Sequence, residues 1–137
     1  MPEPRYLLDT NICIYIRRER PPSVLDRFKA LNPGSTVISV ITYGELVYGA
    51  RKSQDSDKAM MILDELTELI PVVPMATDVA DTYGLIRSDL SARGALIGNN
   101  DLWIAAHAMS LNLTLVTNNE KEFQRVGGLT LENWAKR

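Results

Sequence analysis

Apolar positions along the chain fall into short unbroken runs that alternate with stretches spaced by three and four residues. That pattern belongs to buried strands separated by amphipathic helices. Arg5 to Asp9 is such a run, closed by Asp9-Thr10-Asn11, and it predicts a first strand followed by a helix from Asn11 to the break at Pro21-Pro22. Ser23 to Leu31 predicts a second helix, stopped by Asn32-Pro33-Gly34, and Ser35 to Val40 a β-branched strand covered on both faces. Tyr43, Leu46, Val47 and Ala50 then mark a third helix, and Ser56 to Ile70 a fourth with acids on its outer side. The prolines of Pro71 to Met75 place a short strand near a sheet edge. Beyond it the spacing predicts a helix capped by Thr77-Asp78 and running to Gly94, a loop over Ala95 to Asn100, and an alanine-rich helix over Asp101 to Ser110. A strand at Leu113 to Thr117, a short helix at Asn119 to Arg125 and a last strand at Leu129 to Leu131 complete the chain.

Strands and helices alternating in this order predict a single α/β domain over residues 1–137, with a mainly parallel sheet flanked by helices on both faces. Ligands of such sheets sit beyond the carboxyl ends of the strands, where Asp9 and Asn118-Asn119 fall. The length of 137 residues suits one core, and 45% hydrophobic with 23% charged residues excludes a disordered or fibrous chain. No apolar run approaches the roughly 20 residues of a membrane span, and Asp9 and Asn11 interrupt the early apolar stretch, so neither a span nor a secretory leader is expected and the cytoplasm is the expected location. One cysteine, Cys13, and one histidine, His107, exclude a disulfide framework and a multi-cysteine zinc site. Any catalysis therefore falls to carboxylates. Seven acids and one lysine between Gln54 and Asp81 give that window a net charge of −6, leaving +4 for the rest of a chain whose total is −2. An acidic helix can thus mask basic surface elsewhere that suits a polyanion.

Each candidate acid has a structural alternative. Asp9-Thr10-Asn11 is a cap sequence, and Thr42-Tyr43-Gly44-Glu45 matches a capping box in which Glu45 would reach back to the helix start. Asp101 shares the sheet-facing set of Ile104, Ala105 and Ala108, where a carboxylate needs hydrogen bonds, a cation or a proton; first-turn amides are one source. Asn119, three residues before Glu122, is a further cap candidate. Taken together, acids after the first strand, early in a central helix and at the start of a late helix predict convergence at one sheet edge, where their repulsion favours a hard divalent cation. Oxygen ligands favour Mg²⁺, with Mn²⁺ as the alternative.

The order Leu8-Asp9-Thr10-Asn11, Ser39 to Leu46 with Glu45, Ile97-Gly98-Asn99-Asn100-Asp101-Leu102-Trp103, and Leu115-Val116-Thr117-Asn118-Asn119-Glu120-Lys121-Glu122-Phe123 resembles PIN-domain ribonucleases of the VapC toxin type. The tail Glu122 to Gly128 with Asn133-Trp134 extends the resemblance over nearly the whole chain. It implies an Mg²⁺-dependent endoribonuclease acting on RNA such as tRNA, often a homodimer, and inhibited by a small cognate antitoxin. Position by position, Asp9 and Asp101 match the family's principal metal-binding acids and Glu45 its third acid. Asn119 stands where some members carry a fourth acid, which leaves three carboxylates expected at the site, with Asn119 available to bind or orient a water. Arg17, Arg18, Arg20, Arg51, Lys52, Arg87, Arg93, Lys121 and Arg125 are the cations available to RNA. Tyr43, Tyr48, Trp103 and Trp134 are expected in the core rather than against substrate. The alternatives are a catalytically silent module that binds RNA or protein, and a phosphoaspartyl receiver or phosphatase. The second lacks an acidic neighbour at positions 10 and 11 and an aspartate after the strand ending at Val40.

Overall fold

The computed structural model describes residues 3–136; residues 1, 2 and 137 of the expected domain lie outside the described residues. The elements are β1 (Tyr6–Leu8), α1 (Thr10–Arg18), α2 (Pro22–Lys29), β2 (Thr36–Ser39), α3 (Val40–Arg51), α4 (Ser56–Leu69), β3 (Val72–Val73), α5 (Asp78–Ala92), α6 (Asn99–Ser110), β4 (Thr114–Val116), α7 (Glu120–Phe123) and β5 (Leu131–Glu132). The five strands are parallel and ordered β3-β2-β1-β4-β5. The chain therefore builds outward from β1 on one side and then crosses to β4 on the other. Neighbouring connections lead away in opposite directions at β1 and β4, leaving a crevice beyond their carboxyl ends.

Alternation along the strands divides the core in two. Leu7, Val37 and Leu115 pack with α5, α6 and Phe123 of α7 on one face, while Tyr6, Leu8, Ile38 and Val116 pack with α1 to α4 and Trp134 on the other. Strand β3 is an edge strand, as its flanking prolines predict. The last strand is Leu131–Glu132 rather than Leu129 to Leu131, because the pairing register sets Leu131 beside Leu115 and Glu132 beside Val116. Helix α6 begins at Asn99, two residues before its expected start, and α7 is confined to Glu120–Phe123. Among the described residues no helix is long and apolar enough to cross a membrane.

The capping box expected at Thr42 and Glu45 does not form. Helix α3 starts at Val40, directly after β2, and Ser39 caps it by accepting from the Ile41 N–H at 3.1 Å. Thr42 consequently lies inside the helix, buried and with no hydrogen-bond partner for Oγ1, and Glu45 is released to face the sheet edge. Ser39 also meets His107 of α6, with Nδ1 2.8 Å from its hydroxyl oxygen. Both residues are fully buried, and burial pushes His107 below the ordinary imidazole pKa, so the ring is neutral. One serine thus joins the start of α3 to the middle of α6. Replacing it should strip a cap and leave a buried imidazole nitrogen unpaired: Ser39→Ala is expected to cost about 1–3 kcal/mol in urea unfolding. An unchanged unfolding midpoint would show that the link contributes nothing.

Candidate active site

Asp9 follows β1 and is only 5% exposed. Its Oδ1 accepts from the Ile12 N–H at 2.9 Å, so it does cap α1, and its Oδ2 accepts from the Thr117 hydroxyl at the end of β4. Burial raises its pKa; the bonds from Thr117 and Ile12 oppose that rise, and the nearby charge of Glu45 adds to it. Thr117 in turn accepts from the Asn119 N–H at 2.9 Å, which fixes the path of the chain out of β4. The cap and the candidate ligand are therefore one side chain. A carboxylate offers about four lone-pair positions, and two protein bonds leave Asp9 capacity for another partner.

Helix α3 brings Glu45 to the same edge, where its Oε1 accepts from the Thr10 hydroxyl at 2.7 Å. Asp101, half-buried in the first turn of α6, completes the expected trio. Its carboxyl is pushed up to about 7, first by burial, then by the charge and hydrogen bond of Glu122, then by Glu45 and Asp9. Glu122 was not among the residues expected here. Its Oε2 accepts from the Asn119 side-chain amide and its Oε1 from the Gly98 N–H at 3.4 Å, so α7 presents it across from α6. Asn119 is thus turned toward Glu122 and positions that acid; it precedes α7, but its side chain makes no capping bond. The three-residue spacing of Asn119 and Glu122 was visible as a cap signal and concealed a fourth carboxylate. Thr117 was missed as well; its only signal was a hydroxyl residue closing an apolar strand.

The structure therefore places Asp9, Glu45, Asp101 and Glu122 at one edge, within electrostatic reach of one another. Among the described residues, no three His, Cys, Asp or Glu side chains stand close enough together to hold a metal ion as they are. The ion pairs formed among them, Arg27–Glu132, Arg93–Asp89 and Lys136–Glu120, neutralise none of the four acids. An all-oxygen donor set with four mutually repelling carboxylates fits a hard divalent cation and suits zinc poorly.

A family model described as PIN domain matches residues 6–129. The chain belongs to the PIN-domain family. Within the family its similarity is to the VapC group. It is 43% identical over 132 residues to Ribonuclease VapC1 of Haemophilus influenzae strain R2866, covering 96% of this chain and 98% of that protein. It is 42% identical over 131 residues to the protein named tRNA(fMet)-specific endonuclease VapC of Shigella flexneri, with coverage of 96% and 98%. The solved structure of VapBC-1 from nontypeable Haemophilus influenzae superposes with a TM-score of 0.89 at 43% identity, covering 96% of this chain and 98% of that one.

The PIN-domain site has a pH signature in the metal-free protein. Asp101 holds its proton to about pH 7 when folded, against an ordinary value near 3.8. Its favourable share of stability is complete below about pH 3.8 and is lost as pH rises through about 7. In chelator, Asp101→Asn should therefore melt like the parent near pH 4 and above it at pH 8. The expected gain is on the order of 1–2 kcal/mol, since half-exposure to water screens much of the repulsion. Equal melting temperatures at pH 8 would remove the repulsion from the account.

Proposed function

We propose that this chain is a divalent-cation-dependent endoribonuclease, with Mg²⁺ preferred and Mn²⁺ accepted, and that it acts in the cytoplasm as the toxin of a toxin–antitoxin pair. RNA, with tRNA as the favoured class, is its substrate, and a small cognate antitoxin restrains it. The observation that carries this reading is the four-carboxylate edge, where burial first and then the neighbouring acids push Asp101 up to about 7. Relatives named ribonuclease and tRNA(fMet)-specific endonuclease, and a relative solved as VapBC-1, support the substrate and the partner. The homodimer belongs to the same proposal, with Leu85 of α5, 74% exposed, as apolar surface available for it.

Asp9 and Asp101 would hold the cation. When bound, Mg²⁺ supplies charge neutralisation at a phosphate oxygen and a water of lowered pKa. Thr117 and the Ile12 N–H keep Asp9 oriented, and Thr10 fixes one oxygen of Glu45, leaving the other to take a proton from the attacking water. The water oxygen forms a bond to phosphorus as the bond from phosphorus to the 3′ oxygen breaks, and the departing 3′ oxygen takes a proton from solvent, giving a 5′-phosphate and a 3′-hydroxyl. Asn119 and Glu122 maintain the electrostatic setting of Asp101 from the opposite side.

Asp9→Asn and Asp101→Asn should each reduce cleavage of single-stranded RNA by at least on the order of 10³-fold. Thr117→Val should cost about 10–100-fold, as expected for loss of a group that orients a ligand. Chelation should abolish cleavage, and added Mg²⁺ should restore it. Gel assays of end-labelled RNA and growth arrest on expression provide the measurements. Full activity in either aspartate variant, or indifference to chelator, would reject this mechanism; arrest that the neighbouring small reading frame does not relieve would reject the toxin assignment.

A further inference from the structure

Of Tyr43, Tyr48, Trp103 and Trp134, three are accounted for by packing. Trp134 is buried, Tyr43 packs against the α1–α4 core, and Trp103 stacks on Tyr83 with ring centroids 3.8 Å apart. Tyr48 is different. It is 67% exposed on α3, which corrects the expectation that it lies in the core. Glu45 and Tyr48 on α3 and Lys52, the residue that caps its C-terminus, lie at i, i+3 and i+7 and share one side, away from buried Leu46 and Ala50. The Lys52 ammonium sits 4.9 Å from the Tyr48 ring centroid.

These residues line a groove of about 590 Å³ that begins at Thr10 and Glu45, runs past Gly44 and Gly49, and ends at Tyr48 and Lys52, with Asn100 on its rim. That volume lies within the range of sites that enclose small organic groups, roughly 300–1,000 Å³. A Cβ at Gly44 or Gly49 would meet nothing within 4 Å, so packing does not demand glycine at either position. Glycine inside a helix is unfavourable relative to alanine, and here it keeps the floor of the groove low. A second groove beside Thr10 and Glu45 carries a cation, Arg17, but is otherwise walled largely by aliphatics such as Ile14, Leu46, Ala59 and Ile62 and has no aromatic. Among the described residues, only the Tyr48 groove joins an exposed aromatic as well as a cation to the acid cluster.

We infer that this groove is a nucleotide subsite: the base next to the scissile phosphate stacks on Tyr48, and Lys52 meets a neighbouring phosphate of single-stranded RNA. The inference rests on the ribonuclease reading and deepens it. The acid cluster repels the backbone on either side of the bond to be cut, so a cation at the far end of the groove supplies attraction that the cluster itself cannot. An aromatic face binds any base, and the exposed Asn100 amide offers a donor and an acceptor for a base edge. A stacking face and a cation in one groove, continuous with the acid proposed to take the proton of the attacking water, match a nucleotide as the occupant.

The test uses the full chain and single-stranded RNA carrying 2-aminopurine at successive positions around the bond cut by the wild type. With the non-cleaving Asp101→Asn protein, fluorescence should be quenched at one position flanking that bond. Adding Tyr48→Ala should remove the quenching, and Tyr48→Phe should retain it. In the cleaving background Tyr48→Ala should act chiefly on KM, raising it about 10-fold or more, with rescue by Tyr48→Phe. Lys52→Gln should lower the slope of log affinity against log salt by about 0.7. A wild type that neither binds nor cleaves RNA overturns this inference together with the ribonuclease reading. A cleaving wild type whose KM and quenching survive Tyr48→Ala overturns the inference alone. So does Tyr48→Ala that dissociates an oligomer or releases the antitoxin while RNA binding persists, since the groove then belongs to a protein contact.

Discussion

A carboxylate at the end of the central strand, almost wholly removed from water, would be costly without donors directed at both of its oxygens. Asp9 has them: the free amide at the start of α1 and the hydroxyl that closes β4. Thr117 reaches Asp9 because β1 and β4 are adjacent parallel strands in register, Leu8 beside Val116, although 108 positions separate the two residues in sequence. The same hydroxyl receives the Asn119 amide and so sets the turn that delivers Glu122. The Asp9–Thr117 contact therefore joins the start of the fold to its end, and two sides of the acid cluster depend on it.

The other two sides are set by helices that begin at once after a strand or loop. Because Ser39 ends β2 and caps α3 in one step, Glu45 lies on the second turn of α3 and reaches Thr10. Because α6 starts at Asn99, Asp101 stands in a first turn, where burial and then the nearby Glu122 raise its carboxyl to about 7. The fold spends stability on bringing like charges together, and the imidazole of His107 ties the two helices that carry them. A cluster assembled against its own repulsion suits a counter-charge brought by a cation, and a polyanion alone would be repelled.

Much of this could be read from the chain. Strand identities, the parallel sheet, the edge position of Val72–Val73 and the convergence of Asp9, Glu45 and Asp101 follow from hydrophobic spacing and from the places where apolar runs stop. What could not be read depended on partners distant in sequence. Thr42 and Glu45 have the local form of a capping box, but β2 feeds into α3 three residues earlier, and a local motif carries no information about where a strand ends. Glu122 follows Asn119 at a capping interval, and contacts distant in sequence, the Thr117 bond to Asn119, the Gly98 N–H and the packing of Phe123 in the core, place it beside Asp101. Tyr48 fell outside reach for the opposite reason: neighbouring Val47 and Ala50 suggested a covered helix, and period alone does not reveal which side of a helix another element covers.

That last point bears on how α3 divides its labour. Thr42, Leu46 and Ala50 are buried, and Ile41, Tyr43 and Val47 pack against the two cores, so the docked part of the helix is accounted for without Gly44, Tyr48 or Gly49. The arc that lines the groove carries Gly44, Glu45, Tyr48 and Gly49, with Lys52 just past the end of the helix. Had stability alone shaped that arc, alanine would serve better than Gly44 and Gly49, and an aromatic two-thirds open to water would gain little from burial. A helix that forgoes these gains on the one side adjoining a carboxylate cluster is better explained by what that side must admit than by what holds the helix in place.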